Sequence, residues 1–339
     1  MTNDILTHYI FPTVLSTTTV HYYSLGRHAL ASGLLSHSIG KGDIVLVPNF
    51  ICRDLLSSIH SIQAESLYYS VDPFLGPVSL PVHPRIKAVI AINYFGFPQE
   101  LSPFRDYCSK QKAALIEDNA HGFLSRDQQG NLLGTRGDIG IFSFRKTFPL
   151  PDGAALIINS PEFVKIPIAS LPCRNNSLSS GFLIKRALRN IQNSTGIRVR
   201  NLSEDFARFI RRMKTGNALP TVLPESEFEI PGSPAIHCES FEMLRAVDTT
   251  QEVNRRRLAY AHMHKILGHM DIEPVFHQLP ANTAPYGYPF RAHPSAAGEV
   301  RRLVRKIGFE CSYWPDLPAA VLPTAPDYYR KVWWVNFLC

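Results

Sequence analysis

The first half of the chain alternates short apolar runs with amphipathic segments. The apolar runs have the length and the β-branched composition of strands, and the segments between them carry apolar residues three and four positions apart, which is typical of helices. Strands joined by crossover helices form a mainly parallel sheet, so the predicted fold class is α/β. The predicted strands cover residues 43–48, 66–72, 87–95, 113–118, 139–144 and 154–159.

The pattern becomes less regular after the last of these strands. Helical spacing is present at residues 27–38 and 53–63, but residues 170–235 combine a basic helical stretch with polar and proline-rich segments. From about Ser240 the spacing predicts one or two helices, followed by aromatic and proline-rich segments. This change predicts a large domain over residues 1–235, with a mainly parallel central sheet flanked by helices, and a smaller α+β domain over residues 236–339.

Composition and charge narrow the class of protein without choosing a function. The 339 residues are 45% hydrophobic and 19% charged, which is typical of a globular protein of more than one domain. A net charge of +7 would suit a phosphorylated ligand, an anionic membrane or nucleic acid. There is no apolar run of 18 residues, no signal-peptide pattern and no nucleic-acid recognition motif. We therefore expect a soluble cytoplasmic protein that binds neither membrane nor nucleic acid.

The cysteines and histidines do not predict a metal site. The six cysteines form no C-x-x-C pair and have no zinc-ligand spacing with histidine, so we expect free thiols in a reducing compartment. Their positions are Cys52, Cys108, Cys173, Cys238, Cys311 and Cys339.

The stretch from Ala113 to Asn159 contains the most informative residues. Glu117 and Asp118 end one predicted strand, and Lys146 lies just beyond the next. Both strand ends lie at the carboxyl edge of a parallel sheet, where open α/β folds bind ligands, so Asp118 and Lys146 are predicted to face one pocket. Pyridoxal 5′-phosphate (PLP) chemistry needs an amine to form a Schiff base and a carboxylate to keep the pyridine nitrogen protonated. Taken singly, such an acid is more often a helix cap and such a lysine a solvated charge.

This region resembles the DegT/DnrJ family of sugar aminotransferases, which are fold type I PLP enzymes. In that family one strand ends in E-D-x-A-(H/Q), and a later Gly-Asp strand ends in Ser-Phe before the Schiff-base lysine and a glycine-rich turn. The resemblance is good over residues 22–160 and looser beyond. The matching residues here are Glu117-Asp118-Asn119-Ala120-His121, Gly137-Asp138, Ser143-Phe144, Lys146 and Gly153.

The resemblance implies a role for each matching polar side chain. Lys146 is expected to be the catalytic residue, which forms the Schiff base and shuttles a proton. Asp118 would pair with the pyridine nitrogen, His121 would lie near the ring and its phenolic oxygen, and Ser143 would bind the phosphate. Arg145 is excluded as the Schiff-base residue because a guanidinium stays protonated.

A second family-like element lies upstream, in the sequence SLGRHAL at residues 24–30. It resembles a turn of the family in which a helix N-terminus presents backbone amides to the cofactor phosphate. Alone, it would be an ordinary glycine turn that opens a helix. The sequence GKGDIVLVPNF follows in family-like register and favours the functional interpretation. Gly26, Arg27 and His28 are the expected contacts.

Three features depart from the family pattern. Ser143 and Lys146 are closer together than in many members. The usual Gly-Gly after the lysine is Gly153-Ala154 here, and many relatives place an aromatic ring over the pyridine where this chain has Cys52. Phe50 is the alternative candidate for a stacking ring.

The function implied by the resemblance is the transfer of an amino group from an amino-acid donor, usually glutamate, to a keto sugar. The sugar would be nucleotide-linked and serve amino-sugar or surface-polysaccharide biosynthesis, and the enzyme would be a homodimer. Two alternatives remain open. A PLP-dependent sugar dehydratase shares the cofactor site, but such relatives have histidine at the position of Lys146. A catalytically silent homologue would bind a nucleotide sugar or a partner protein without retaining PLP.

Two basic clusters and one aromatic cluster are weaker candidates for the site. Basic clusters are mostly solvated faces, although the guanidinium fork suits the phosphates of a nucleotide sugar. Aromatic residues among prolines are more typical of loop packing than of a sugar pocket. These residues are Arg255, Arg256 and Arg257; Arg211, Arg212 and Lys214; and Tyr286, Tyr288, Tyr313 and Trp314.

Overall fold

The computed structural model describes residues 19–195 and 224–338 and confirms the predicted α/β class. All six predicted strands are present with ends shifted by at most three residues, and a further strand precedes them. The strands of this first sheet are β1 (Thr19–Tyr23), β2 (Ile44–Pro48), β3 (Glu65–Tyr69), β4 (Ile86–Ile92), β5 (Ala114–Asn119), β6 (Ile139–Ser143) and β7 (Ala154–Ile158).

The seven strands form one sheet in the order β1-β7-β6-β5-β4-β2-β3. The five strands from β6 to β3 run parallel, whereas β7 is antiparallel to both of its neighbours. Every residue of β2, β6 and β7 is buried, which explains why these strands read as continuous apolar runs rather than alternating ones. Since β2, β4, β5 and β6 point the same way, their carboxyl ends share one edge of the sheet.

Helices cover the sheet and continue into the second half of the chain. The predicted helix at 53–63 is shorter than expected and consists of a 3-10 turn, Arg53–Leu55, followed by one short helix. The described helices are α1 (Gly26–Ser36), α2 (Leu56–His60), α3 (Ser102–Gln111), α4 (Phe144–Thr147), α5 (Ser180–Thr195), α6 (Cys238–Arg245), α7 (Thr249–Leu267) and α8 (Pro294–Lys306).

A second, smaller sheet lies in the C-terminal part of the chain. Its four strands are antiparallel in the order β10-β11-β9-β8. The apolar core beneath it is continuous with that of the large sheet, because Tyr260, Met263 and Tyr288 belong to the same buried cluster as β2 and β4. The strands are β8 (Glu273–Pro274), β9 (Gly287–Arg291), β10 (Glu310–Tyr313) and β11 (Val332–Asn336). The domain boundary at residues 235 and 236 stays a prediction.

A disulfide joins Cys173 to Cys238, so the expectation of free thiols is wrong for these two residues. They lie 65 positions apart in the sequence, and only the tertiary structure brings them together. Cys52, Cys108 and Cys311 are free thiols.

Asp152 ties the first turn of α6 to the loop before β7. Its buried carboxylate accepts hydrogen bonds from Arg174 Nη2 at 2.5 Å, from the backbone N–H of His237 at 3.1 Å and from Ser240 Oγ at 2.7 Å. Helix α6 is therefore anchored to the loop that follows Lys146. Among the described helices, none has the length and apolarity needed to span a bilayer.

Candidate active site

The carboxyl edge of the large sheet opens into a cavity of about 230 Å³. Asp118 from the end of β5 and Lys146 from α4 both line this cavity, although 28 positions separate them. The adjacent, parallel pairing of β5 with β6 brings them together, because α4 begins directly after β6. The cavity is also lined by Gly26, Arg27, His121 and Ser143, so six of the seven predicted site residues meet there.

Asp118 is a nearly buried carboxylate with one backbone hydrogen bond. Its Oδ1 accepts from the N–H of Ala120 at 2.9 Å. Burial raises the pKa of Asp118, and the nearby charge of Lys146 opposes that shift. A carboxylate in this position is stabilised by a cationic partner inside the cavity.

The network behind Asp118 fixes the end of β5. Glu117 is fully buried, and its Oε1 accepts from Arg136 Nη2 at 2.5 Å and from Asn93 Nδ2 at 2.9 Å. The backbone N–H of Arg136 donates to the other carboxylate oxygen at 2.9 Å. A buried carboxylate is stable in its charged form when it is paired with a cation and its oxygens accept hydrogen bonds. The Glu-Asp pair thus divides into a structural residue, Glu117, and a cavity residue, Asp118.

Lys146 lies on a single helical turn that begins immediately after Ser143. Ser143 is the N-cap residue of α4 and is buried, but its side chain makes no capping hydrogen bond to the turn. The Nζ atom of Lys146 lies 3.2 Å from Nε2 of His121. Lys146 and Ser143 both line the cavity.

His121 is held from all sides. Its ring stacks on Tyr286 with centroids 4.4 Å apart and planes at 14°, and Trp314 packs edge-on at 5.5 Å. The backbone N–H of Phe95 donates to its Nδ1 at 3.3 Å. Burial and the charge of Lys146 lower the pKa of His121 well below its usual value, so the imidazole is neutral at physiological pH.

The N-terminus of α1 adds backbone donors to the cavity. Its N-cap residue is Leu25, which has no side-chain oxygen to bond the first amides. A Cβ placed on Gly26 would lie 4.0 Å from Ser143 Cβ, so the start of the helix adjoins the serine. Helix N-termini with open amides favour anions.

Two cationic side chains accompany this helix terminus, and one predicted contact lies elsewhere. Arg27 and Arg145 both line the cavity, where burial and their mutual repulsion lower the pKa of Arg27, while Asp54 at 3.7 Å raises it. His28 is not among the cavity-lining residues; burial lowers the pKa of its imidazole, and the nearby backbone of Pro231 and Gly232, in a loop of the second half, opposes that shift.

The structure distinguishes Phe50, the candidate for a stacking ring, from Cys52, which occupies the position where relatives have that ring. Phe50 is fully buried against Tyr94 and Tyr329 and does not line the cavity. Cys52 does line it, and burial raises the pKa of its thiol to about 11. The aromatic surface comes instead from Trp314, together with Tyr286 beside it.

Sequence reasoning underrated these two aromatic residues, because their position depends on how the second sheet packs. Tyr286 immediately precedes β9, and Trp314 immediately follows β10. Of the other members of that cluster, Tyr288 is buried and lies 3.1 Å from Nδ1 of His264, and Tyr313 lies within β10 against Trp333. The only sequence signal was their place among prolines.

The second departure from the family pattern has a local explanation. Gly153 has a φ of +134°, and its carbonyl accepts from the N–H of Phe144 at 3.0 Å, which closes the turn around α4. Ala154 is already the first residue of β7 and pairs with Ser143 and with Tyr23. An alanine is compatible with a buried strand position, so only the first glycine of the usual pair is needed for the turn.

The basic run of α7 is structural rather than anion-binding. Arg255 and Arg256 both pair with Glu252, and Arg257 donates to the carbonyls of Pro280 and Thr283. Arg256 is 1% exposed. It donates to the Thr147 carbonyl at 2.7 Å and to the Tyr286 carbonyl at 3.3 Å, so it joins the lysine turn to the aromatic wall. The cluster Arg211, Arg212 and Lys214 lies outside the described residues.

Replacement of Arg256 by methionine is expected to lower the free energy of unfolding by about 3–5 kcal/mol, because Glu252 and the carbonyls of Thr147, Pro285 and Tyr286 lose a buried cationic partner. Chemical denaturation of the purified variant measures this. The matched control is Arg302→Met on α8, where the pair with Glu299 is largely exposed and the expected change is within about 0.5 kcal/mol. Equal effects of the two substitutions would contradict a structural role for Arg256.

The described part of the chain has no candidate metal site. Among residues 19–195 and 224–338, no group of three His, Cys, Asp or Glu side chains is placed to hold an ion.

Residues 16–178 match the sequence model of the DegT/DnrJ/EryC1/StrS aminotransferase family. Over 150 residues the chain is 30% identical to dTDP-4-dehydro-2,3,6-trideoxy-D-glucose 4-aminotransferase of Saccharopolyspora spinosa, covering 42% of this chain and 39% of the relative. Over 161 residues it is 30% identical to GDP-perosamine synthase of Vibrio cholerae, covering 44% and 42%. The matches thus span about two-fifths of the length of these relatives.

Solved structures extend the likeness of fold to nearly the whole chain. The aminotransferase TlmJ from Streptoalloteichus hindustanus superposes with a TM-score of 0.65 at 20% identity, covering 98% of this chain and 83% of the other. PseC of Helicobacter pylori, an aminotransferase involved in the biosynthesis of pseudaminic acid, gives 0.64 at 15% identity, covering 98% and 84%. The fold is that of these solved structures, and residues 16–178 are similar in sequence to the DegT/DnrJ/EryC1/StrS aminotransferase family.

Proposed function

We propose that this protein is a PLP-dependent aminotransferase that moves an amino group from an amino-acid donor to a nucleotide-linked keto sugar. The observation that carries this proposal is the convergence of Lys146, Asp118, His121 and Ser143 on one cavity at the carboxyl edge of the sheet. PLP chemistry requires an amine and a carboxylate, and a helix N-terminus with open amides suits the phosphate of the cofactor.

The residues that line the cavity match each chemical group of the cofactor. Asp118, whose pKa burial raises, gains a partner in a protonated pyridine nitrogen. The open amides of α1, the hydroxyl of Ser143 and the guanidinium of Arg27 suit the phosphate. Trp314 and Tyr286 offer aromatic surface in place of the ring that Cys52 does not supply.

Each side chain then has a separate task. Bound PLP supplies a ring that accepts electrons when the Cα–H bond of the donor breaks. The Nζ atom of Lys146 takes up that proton and releases it again, as general base and then general acid. Asp118 holds its negative charge against the ring nitrogen, and Ser143 with Gly26 and Arg27 keeps the phosphate in place. His28 lies on α1 but does not line the cavity, so we assign it no contact with the cofactor.

The choice of substrates rests on the relatives. The Saccharopolyspora protein is named for a dTDP-linked 4-keto sugar, and a relative from Acidithiobacillus ferrooxidans is named for a UDP-linked 3-keto sugar. We extend nucleotide linkage to this chain, with glutamate as donor and amino-sugar or surface-polysaccharide biosynthesis as the process. The cationic residues Arg27 and Arg145 at the cavity are compatible with an anionic substrate. We also propose that the enzyme is a homodimer and that it lies in the cytoplasm.

The test is a two-stage assay with the purified, PLP-loaded protein. In the first stage L-glutamate alone is expected to yield 2-oxoglutarate in an amount equal to the protein. In the second, dTDP-4-dehydro-2,3,6-trideoxy-D-glucose or UDP-N-acetyl-3-dehydroglucosamine is expected to be aminated, as mass spectrometry would detect.

Each outcome of the assay separates the candidates. Loss of water from the sugar without amination would favour the dehydratase. Failure to retain PLP at all would favour a silent binding protein, and amination of a free keto acid but of no sugar would overturn the substrate class.

A further inference from the structure

We propose that the backbone of Phe95 fixes His121 as the tautomer with its proton on Nε2, so that the imidazole presents an N–H rather than a lone pair to Lys146. The Phe95–Gly96 turn is then a positioning element for the reactive amine. The tautomer itself is a property of the protein alone, whereas its consequence for catalysis rests on the proposed function.

Counting donors and acceptors around the imidazole leads to this tautomer. The backbone N–H of Phe95 donates to Nδ1 of His121 at 3.3 Å, and a ring nitrogen that accepts a hydrogen bond carries no proton. A neutral imidazole has one N–H, which must then be on Nε2. His121 is 6% exposed, and its lowered pKa keeps the ring neutral.

The ring orientation follows from the same contacts. A half-turn about χ2 would place carbon atoms where Nδ1 and Nε2 now meet Phe95 and Lys146, so both contacts would be lost. The stack on Tyr286 and the edge contact with Trp314 hold the ring plane. The two nitrogens therefore have fixed and different partners.

The donor to Nδ1 exists because the chain adopts an uncommon conformation. Phe95 has φ 53° and ψ 20°, in the left-handed region that residues other than glycine seldom occupy, and Gly96 follows with φ 86°. Such a residue costs on the order of 1 kcal/mol or more and persists only where its surroundings impose it. Here the Phe95 carbonyl accepts from the N–H of Tyr286 at 2.8 Å. A Cβ on Gly96 would meet the carbonyl oxygen of Ala284 at 2.8 Å.

The consequence falls on Lys146. Its Nζ atom lies 3.2 Å from Nε2 of His121, and an ammonium has only donors, so two N–H groups would oppose each other there. The neutral amine has a lone pair that accepts from Nε2–H. Schiff-base formation requires that neutral amine. In its neutral form Lys146 therefore has a hydrogen-bond donor in the Nε2–H group of His121.

The first test is a two-bond ¹⁵N–¹H spectrum of the histidine rings in the cofactor-free protein, with the His121 signals assigned by their loss in His121→Gln. We expect Nε2 protonated and Nδ1 unprotonated both in the native protein and in Lys146→Met, because Phe95 and not Lys146 sets the tautomer. A proton on Nδ1 in either protein would overturn the inference. The result does not depend on PLP, so it stands apart from any failure of the proposed function.

The second test measures how fast PLP links to Lys146 in two variants of His121. Glutamine offers both an oxygen acceptor for Phe95 and an N–H donor for Lys146, so His121→Gln should react nearly as fast as the native protein. His121→Met lacks both and should be slower by about tenfold, the equivalent of one ordinary hydrogen bond. Gly96→Ala, which displaces the turn and with it the Phe95 donor, is followed by the histidine ring spectrum of the first test, and its His121 should no longer carry the proton solely on Nε2. Equal rates for the glutamine and methionine variants would contradict the role of the donor.

Discussion

Substitution of Lys146 by alanine is expected to abolish the proposed transamination, with turnover falling by about 10⁴-fold or more, because one amine serves both as nucleophile and as proton carrier. The visible absorbance of protein-linked PLP should disappear in the same variant. Lys146→Arg should behave in the same way, since a guanidinium keeps the positive charge but forms no imine. Measuring glutamate-dependent turnover and the absorption spectrum of each variant checks both expectations.

A surface lysine provides the control for the loss of charge. Lys87 lies at the start of β4, exposed and at the opposite end of the strand from the cavity. Lys87→Ala should leave the spectrum and the turnover unchanged. Persistence of PLP-linked absorbance in Lys146→Ala would show that another residue carries the cofactor.

Substitution of Asp118 by asparagine is the second change with a large expected effect. Asparagine has nearly the same shape and retains an oxygen for the N–H of Ala120, so the fold and the binding of PLP should survive. The charge that stabilises a protonated pyridine nitrogen is lost, and we expect turnover to fall by about 10²- to 10³-fold, the effect of one electrostatic group in a buried site. The measurement compares PLP affinity with the maximal rate of the glutamate half-reaction.

The companion variant for this test is Asp106→Asn on the exposed face of α3. It removes the same charge away from the cavity and should leave both quantities unchanged. If Asp118→Asn kept a native rate, the carboxylate would not be the partner of the ring nitrogen. If it lost PLP altogether, its role would be in binding rather than in the chemistry.

The disulfide between Cys173 and Cys238 bears on the proposed location of the protein. Disulfides are uncommon in the cytosol of most organisms, and this one joins Cys238, the first residue of α6, to Cys173 in the segment between β7 and α5. Thiol labelling of protein taken directly from cells would report whether the pair is oxidised there. Full labelling of both residues agrees with a cytoplasmic enzyme, and protection of both argues against it.

Sequence alone determined the parts of this protein that depend on local chain direction. A parallel sheet places consecutive strand ends on one edge, so the positions of Asp118 and Lys146 at two strand ends were enough to predict that they meet. The alternation of apolar runs and helical segments located six strands of the large sheet for the same reason. The first strand, β1, was not predicted, because it pairs antiparallel with β7 across 130 residues of chain.

Only the tertiary structure decided which distant residues complete the cavity. Tyr286 and Trp314 reach it from the second sheet, whose packing leaves no periodic signal in the sequence. Arg256 stands in a basic run that resembles a solvated face, yet it is buried because the Thr147 and Tyr286 carbonyls and Glu252 meet around it. Long-range contacts of this kind depend on the three-dimensional arrangement of elements that are far apart in the chain, and no local pattern of hydrophobic and polar positions encodes them.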